Sequence, residues 1–324
     1  MPTPPLVVPT DLSAAAAEAL RYALRMSRAT GAPVHLLHVV AWPDAGRFEA
    51  DSEALTAGEE EADEAARAQA ALRAVVAEAG AEGEVVLAVR HGNVPAADVL
   101  GYVRDVEAGL VVMGTCGRRP RRHVLGSVAG EVVQTAPCDV LLVPHRDEAP
   151  FSAAPPRRVL APVDFSSASR PLALVALRLA RDLGAEGVDL VHVLEPLPHP
   201  LRWLDETLVD VAPTIRERAE VALHELADDV AAEVPGVPVA RYIERGKAAR
   251  TVARVAEALG DDLILVGPHA ERPVFDRLLG SVAEGVARRA RCPVLVARRS
   301  AAPGPLDAAD VDGRSYEAAA PPYA

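Results

Sequence analysis

The sequence predicts an α/β chain built as two tandem doubly wound, Rossmann-like domains, and three observations carry that prediction. Short β-branched runs alternate with long helical patterns, the chain repeats itself at an offset of 153 or 154 residues, and its 324 residues are enough for two separate cores. Alternating β and α segments joined by short connections mean a parallel sheet covered on both faces by helices. A repeat this long is a duplicated domain, because solenoid units run to only about 20–50 residues.

The repeat is visible residue by residue. LVVPTDLS at 6–13 is answered by VLAPVDFS at 159–166, LLHVV at 36–40 by LVHVL at 190–194, Gly92 by Gly246 and Cys138 by Cys292. The first copy places strands at 6–9, 34–40, 84–89, 110–113 and 140–143, with helices at 13–29, 52–79, 94–107 and 127–135 between them. In the second copy the strands fall at 158–162, 188–194, 239–244, 262–266 and 294–296, and the helices at 167–183, 213–233, 248–259 and 281–290. Within 167–183, Leu172, Val175, Ala176, Leu179 and Leu183 keep the three-and-four spacing of one buried stripe. These patterns set the domains at 1–146 and 157–299. The proline-rich stretch at 147–156 reads as a linker, and 300–324, which lacks any apolar period, reads as a disordered tail. The acidic run at 59–64 reads as the solvated face of its helix.

Composition narrows the function. Half of the residues are hydrophobic and only 3% are aromatic, so the cores must be built from Val, Leu and Ala. A net charge of -12 argues against nucleic acid as a partner, since coating a phosphate backbone needs a dominant basic face. No apolar run approaches the ~18 residues of a membrane span, and the N-terminus lacks a basic leader. The three cysteines, Cys116, Cys138 and Cys292, have no CxxC spacing, which points to a reducing cytoplasm. Cys138 and Cys292 are expected as small core residues.

The chemistry concentrates in one segment of each copy. Leu110 to Val143 and Leu263 to Val296 each read as an apolar strand, a glycine-opened loop, a Gly-Ser step into a short helix, and a second apolar strand. Glycines let backbone N–H groups approach an anion closely, and a helix N-terminus adds its positive dipole end. Gly114, Gly117, Gly126 and Ser127 serve the first copy, and Gly267, Gly280 and Ser281 the second. Arg118, Arg119, Arg121 and Arg122 stand in the first loop, where a guanidinium can pair with phosphate. Asp11 and Asp164 fall just past the first strand of their copies, at the crevice where open α/β sheets bind ligands. They can accept hydrogen bonds from a nucleoside or cap the next helix, a task for which Ser13 and Ser166 are also at hand. His38 and His192 read as buried, satisfied histidines. The single lysine, Lys247, sits in no Walker motif, and no GxSxG is present, so P-loop and nucleophile-elbow chemistry are excluded.

Taken together, VLAPVDFS, VVMGTCG at 111–117, LGSVAGEVVQTAPCDVLLVP at 125–144 and LGSVAEGVARRARCPVLVAR at 279–298 resemble the universal stress protein family in its tandem form. The ATP-binding branch of that family carries Gly, two residues, Gly, nine residues, Gly, then Ser or Thr. The first copy keeps all three glycines with eight residues in the long gap, whereas the second keeps the gap and has Ala270 at the second glycine. The resemblance implies five parallel strands in the order 3-2-1-4-5 in each domain, with the last strands pairing the domains as an intrachain pseudo-dimer that can associate further into a homodimer. It implies a nucleotide site at Thr10, Asp11 and Val39 with Gly114, Gly117, Arg118, Gly126 and Ser127. A second site would use Val163, Asp164 and Val193 with Gly267, Ala270, Gly280 and Ser281. The ligand implied is ATP or another adenine nucleotide, with or without Mg2+, and the role is a stress-response regulator acting through conformation or an unidentified protein partner. No residue is assigned to catalysis or to a metal, and any ATP hydrolysis should be slow. Two alternatives stay open: a nucleotide-independent interaction module, and a hydrolase or phosphotransferase using Asp11 or Asp164.

Overall fold

The computed structural model describes residues 3–40, 54–117, 125–145, 156–196, 212–267 and 280–298. They form two units, divided between residues 153 and 154. In the first, β1 (Leu6–Thr10), α1 (Ala14–Thr30), β2 (Val34–Val40), α2 (Ala54–Glu78), β3 (Val85–His91), α3 (Pro95–Asp105), β4 (Leu110–Gly114), α4 (Ser127–Thr135) and β5 (Asp139–Val143) follow in turn. The second runs β6 (Arg158–Val163), α5 (Ser169–Leu183), β7 (Gly187–Leu194), α6 (Ala212–Glu233), β8 (Val239–Arg245), α7 (Ala248–Leu259), β9 (Leu263–Val266), α8 (Ser281–Ala287) and β10 (Val294–Val296). The strands and helices expected from the sequence are all present.

Both sheets are parallel. In the first unit β1 pairs with β2 and β4, β2 with β3, and β4 with β5, which gives the order β3-β2-β1-β4-β5. The second unit repeats it as β8-β7-β6-β9-β10. The order reverses between β1 and β4, and between β6 and β9, and a doubly wound sheet opens a crevice at the carboxyl end of such a point.

The central strands are apolar without alternation because both of their faces are covered. Val7, Val111 and Val140 in the first unit and Leu160, Ile264 and Val296 in the second are fully buried. Burying one such side chain contributes about 1.5–3 kcal/mol. Outer helices meet the sheet through one stripe each: Ala68, Leu72 and Val76 on α2, and Ala219, Leu223, Ala227 and Val230 on α6. On α5 the buried stripe is rotated from the expected one. Ala173, Ala176, Leu177 and Ala180 are fully covered, while Val175, Leu179 and Leu183 are half-buried, because the alanines let the helix lie close to the sheet. Helices α1 and α5 both stop at a left-handed glycine, Gly31 (φ 71°) and Gly184 (φ 66°), a conformation that a side chain disfavours.

Cys138 is buried, as expected for a small core residue, but Cys292 is only half-buried and precedes β10 by two residues. Of the acidic run, Asp63 is exposed and pairs with Arg67 one turn on at 3.7 Å, as a solvated helix face does. The tail at 300–324 and the linker apart from Pro156 lie outside the described residues.

Candidate functional site

In each unit the turn after the first strand is bent by its own aspartate. Asp11 Oδ1 accepts the Ser13 amide at 3.1 Å, and the Thr10 hydroxyl accepts the Leu12 amide at 3.0 Å. Asp164 Oδ1 accepts the Ser166 amide at 3.0 Å in the same way. Between the aspartate and the serine, Leu12 (φ 63°) and Phe165 (φ 62°) are held in the left-handed region, where a bulky residue is strained. Such strain recurring at one position of both copies marks a turn whose shape is held by its surroundings.

The capping roles then diverge. Ser13 caps α1 and accepts the Ala16 amide. Ser166 caps nothing, contrary to expectation: α5 begins only at Ser169, behind Ala168, which makes no side-chain cap. The reason is a second bond to Asp164, whose Oδ1 also accepts the Ser169 hydroxyl at 2.9 Å while the Ser169 oxygen accepts the Asp164 amide at 3.2 Å. Burial alone would push the Asp164 carboxyl up, but bonds from Ser166, from Ser169 and from its own amide prevail, so it stays below the ordinary carboxylate range.

In the first unit the carboxylate meets the glycine segment directly. A Cβ added at Gly117 would lie 2.6 Å from Asp11 Oδ2, so the glycine is there because the carboxylate is close. Gly114 ends β4 against Ala15 of α1, where a Cβ would sit 3.1 Å from that residue. The amide of Gly126 donates to the Thr115 carbonyl at 2.8 Å, folding the start of α4 back over the end of β4. As the N-cap of α4, Gly126 offers no side-chain acceptor, and exposed Ser127 opens the helix. Thr10 is buried at the end of β1, and its carbonyl accepts Nδ1–H of His38 at 2.7 Å. Val39, half-buried, is next along β2. Arg118, Arg119, Arg121 and Arg122 lie outside the described residues, as does Ala270 in the second copy.

The second unit holds a cleft of about 160 Å³ at the matching place. Val163, Asp164, Val193, Gly267 and Gly280 line it together, and Ser281 follows Gly280 at the start of α8. His192 also lines it, and its Nδ1–H donates to the Val163 carbonyl at 2.8 Å. Burial depresses the His192 pKa, against the opposing pull of that carbonyl and of Asp164, so the ring is neutral near pH 7 and is satisfied as expected. Phe165 stacks on it with centroids 4.3 Å apart, which braces the strained turn.

Sequence reasoning missed one wall of this cleft. Ala248 and Val252 of α7 contribute to the lining, and Lys247, the N-cap of that helix, directly precedes Ala248. The signal was the recurring Gly92 and Gly246. A Cβ on Gly92 would meet Asp98 Oδ2 at 2.0 Å, and one on Gly246 would meet Thr251 Oγ1 at 2.5 Å, so in both units a glycine closes over the first turn of the following helix. Among the described residues no group of three or more His, Cys, Asp or Glu side chains could hold a metal ion, and no helix is long and apolar enough to cross a membrane.

Comparison with known proteins places these clefts in context. The model of the universal stress protein family matches twice, at residues 3–144 and 156–298. Universal stress protein Rv2005c of Mycobacterium tuberculosis is 33% identical over 199 residues, 60% of this chain and 63% of the relative, so that match spans under two thirds of the relative's length. Universal stress protein Rv2623 of the same organism is 31% identical over 325 residues, covering 91% of this chain and 96% of the relative. A crystal structure of a universal stress protein from Archaeoglobus fulgidus superposes with a TM-score of 0.62 at 20% identity, covering 92% of this chain and 97% of that one.

Proposed function

Because the chain belongs to the universal stress protein family, we propose that it is a cytoplasmic stress-response regulator that binds adenine nucleotide, ATP foremost, and signals through a change in conformation or in protein partner. The observation that carries this reading is the meeting, at the switch point of each sheet, of an aspartate and a glycine segment. Asp11 faces Gly117 in the first unit, and Asp164 shares a cleft with Gly267 and Gly280 in the second.

The residues present fit a nucleotide. A carboxylate at this turn can accept hydrogen bonds from ribose hydroxyls or an adenine amino group. Val193 and Val163 give the second cleft an apolar wall for a flat base, with Val39 at the matching position in the first. Gly126 leaves the first amides of α4 without a side-chain acceptor, a setting suited to phosphate oxygens, and Ser127 adds a hydroxyl. Arg118 is proposed as a cationic partner for the same phosphates, and Ser281 repeats the hydroxyl in the second copy. Thr10 shapes the first turn by accepting the Leu12 amide and is proposed to line the same site, since its hydroxyl keeps a proton to donate. Turnover of ATP is expected to be slow, because the carboxylates are committed to turn geometry instead of being poised as bases.

The reading is tested by mass spectrometry of small molecules released from the full chain purified under native conditions, followed by titration with ATP. Recovered or saturably bound adenine nucleotide supports it. An empty protein that shows no saturable ATP binding contradicts it and favours an interaction module that works without nucleotide.

A further inference from the structure

At the opposite, amino-terminal end of the second sheet lies a buried charged cluster that the nucleotide reading does not use. Asp189 of β7 is fully buried, and Arg158 of β6 clasps it through two nitrogens, Nε to Oδ2 at 2.9 Å and Nη2 to Oδ1. Asp261, in the turn between α7 and β9, is 6% exposed, and neither of its carboxylate oxygens has a hydrogen-bond donor. The neighbouring Asp262 amide donates to the Arg158 carbonyl at 3.2 Å, which brings Asp261 into the same cluster, where the Asp189 charge acts on it. With Arg158 committed to Asp189, an ionised Asp261 would be a buried charge without a donor beside a like charge, and a proton on Asp261 turns that repulsion into a hydrogen bond.

We propose that buried Asp261 keeps its proton at neutral pH and donates it to Asp189, which makes the second unit a pH-sensitive element that is tightest in acid and loosens as the medium is brought towards neutrality. Burial, the bond to Asp189 and the Asp189 charge push the Asp261 carboxyl up to about 8, with Arg158 opposing and neighbouring Asp262 adding to the rise. Asp262 is itself held by the Arg157 amide at 2.9 Å, and Tyr242 of β8 is the further titratable group facing the cluster, its hydroxyl pushed up by burial and by Asp189.

The sign follows from linkage. In the unfolded chain Asp261 ionises near pH 4, and in the folded unit it keeps its proton up to about pH 8. Folding therefore retains one extra proton across that window, and the folding equilibrium falls by up to about tenfold per pH unit as pH rises through it, levelling off above. The first unit does not repeat the pair. At the matching places stand Ala108 and His35, and His35 instead bonds the Tyr102 hydroxyl at 2.9 Å.

The test uses the full chain and Asp261→Asn, whose amide can donate to Asp189 without a titrating proton. Infrared spectroscopy of the wild type near neutral pH should show the C=O stretch of a protonated carboxylic acid, lost well above pH 8 and absent from the variant. Hydrogen exchange of β7 and β9, corrected for intrinsic chemistry, should lose protection with rising pH in the wild type and show one proton less of pH dependence in the variant. The absence of the acid band from the wild type near neutrality, or equal pH dependence in both proteins, would overturn the proposal.

Discussion

The two units share one fold and one strained turn, yet they hold their aspartates differently. In the first, Asp11 Oδ1 takes the Ser13 amide and Oδ2 faces Gly117. In the second, Asp164 Oδ1 takes both the Ser166 amide and the Ser169 hydroxyl, at a position where the first unit has Ala16. The copy that keeps the middle glycine has its carboxylate against that glycine. The copy that carries Ala270 instead has its carboxylate tied back to its own helix. The difference shows that the two copies keep the backbone of the crevice while holding its carboxylate in different ways, and on the proposed reading the first copy is the tighter nucleotide site.

Gly126→Asp should have the largest effect on this comparison. Gly126 has φ -60°, and an added Cβ would find ordinary contacts of 3.6 Å or more, so the substitution fits and even supplies an N-cap. A carboxylate at the mouth should nevertheless repel phosphate by about 2–3 kcal/mol, roughly a hundredfold in affinity. Calorimetry should show ATP affinity lost at the first site with the melting temperature unchanged or raised. Unchanged affinity would break the placement of phosphate at α4.

Gly117→Ala comes next. Its methyl must displace the Asp11 carboxylate, and this should weaken the first site about tenfold, ~1.4 kcal/mol, making it resemble the second. Equal affinities in variant and wild type would show that the middle glycine does not set the contrast between copies.

Ser169→Ala should have the smallest effect, costing about 1 kcal/mol of stability in the second unit. Because the folded pKa of Asp164 is depressed, its stabilisation is present above about pH 4 and is lost as pH falls through the folded value. The variant should therefore show a shallower acid limb in denaturant titrations of the full chain. Lys247 adds a probe of the second mouth, since it is the single lysine and directly precedes Ala248 of the cleft lining. ATP should slow its acetylation, read by peptide mass spectrometry, and no protection at saturating ATP would remove the second cleft from the account.

Much of this was legible in the sequence. Strands such as LVVMG and LILV announce themselves because they are covered on both faces, and the repeat fixes which residues share a position. Asp11, Asp164 and the glycines could be placed because carboxyl ends of parallel strands are fixed by topology. The left-handed turn at Leu12 and Phe165 could not, since a dihedral angle leaves no mark in composition; only the repeated Asp, bulky apolar, Ser step hints at it. Ser169 was hidden because one hydroxyl on a helix reads as ordinary. Asp189 and Asp261 come to one cluster only once β7 and the α7–β9 turn are placed at the same end of the sheet, on either side of β6, and their spacing carries no motif.

Saturation binding of labelled ATP to the full chain tests the central claim most directly. The account predicts saturable binding with a tighter class of site that Gly126→Asp removes. Binding that fails to saturate, or a tight class that survives that substitution, would contradict it.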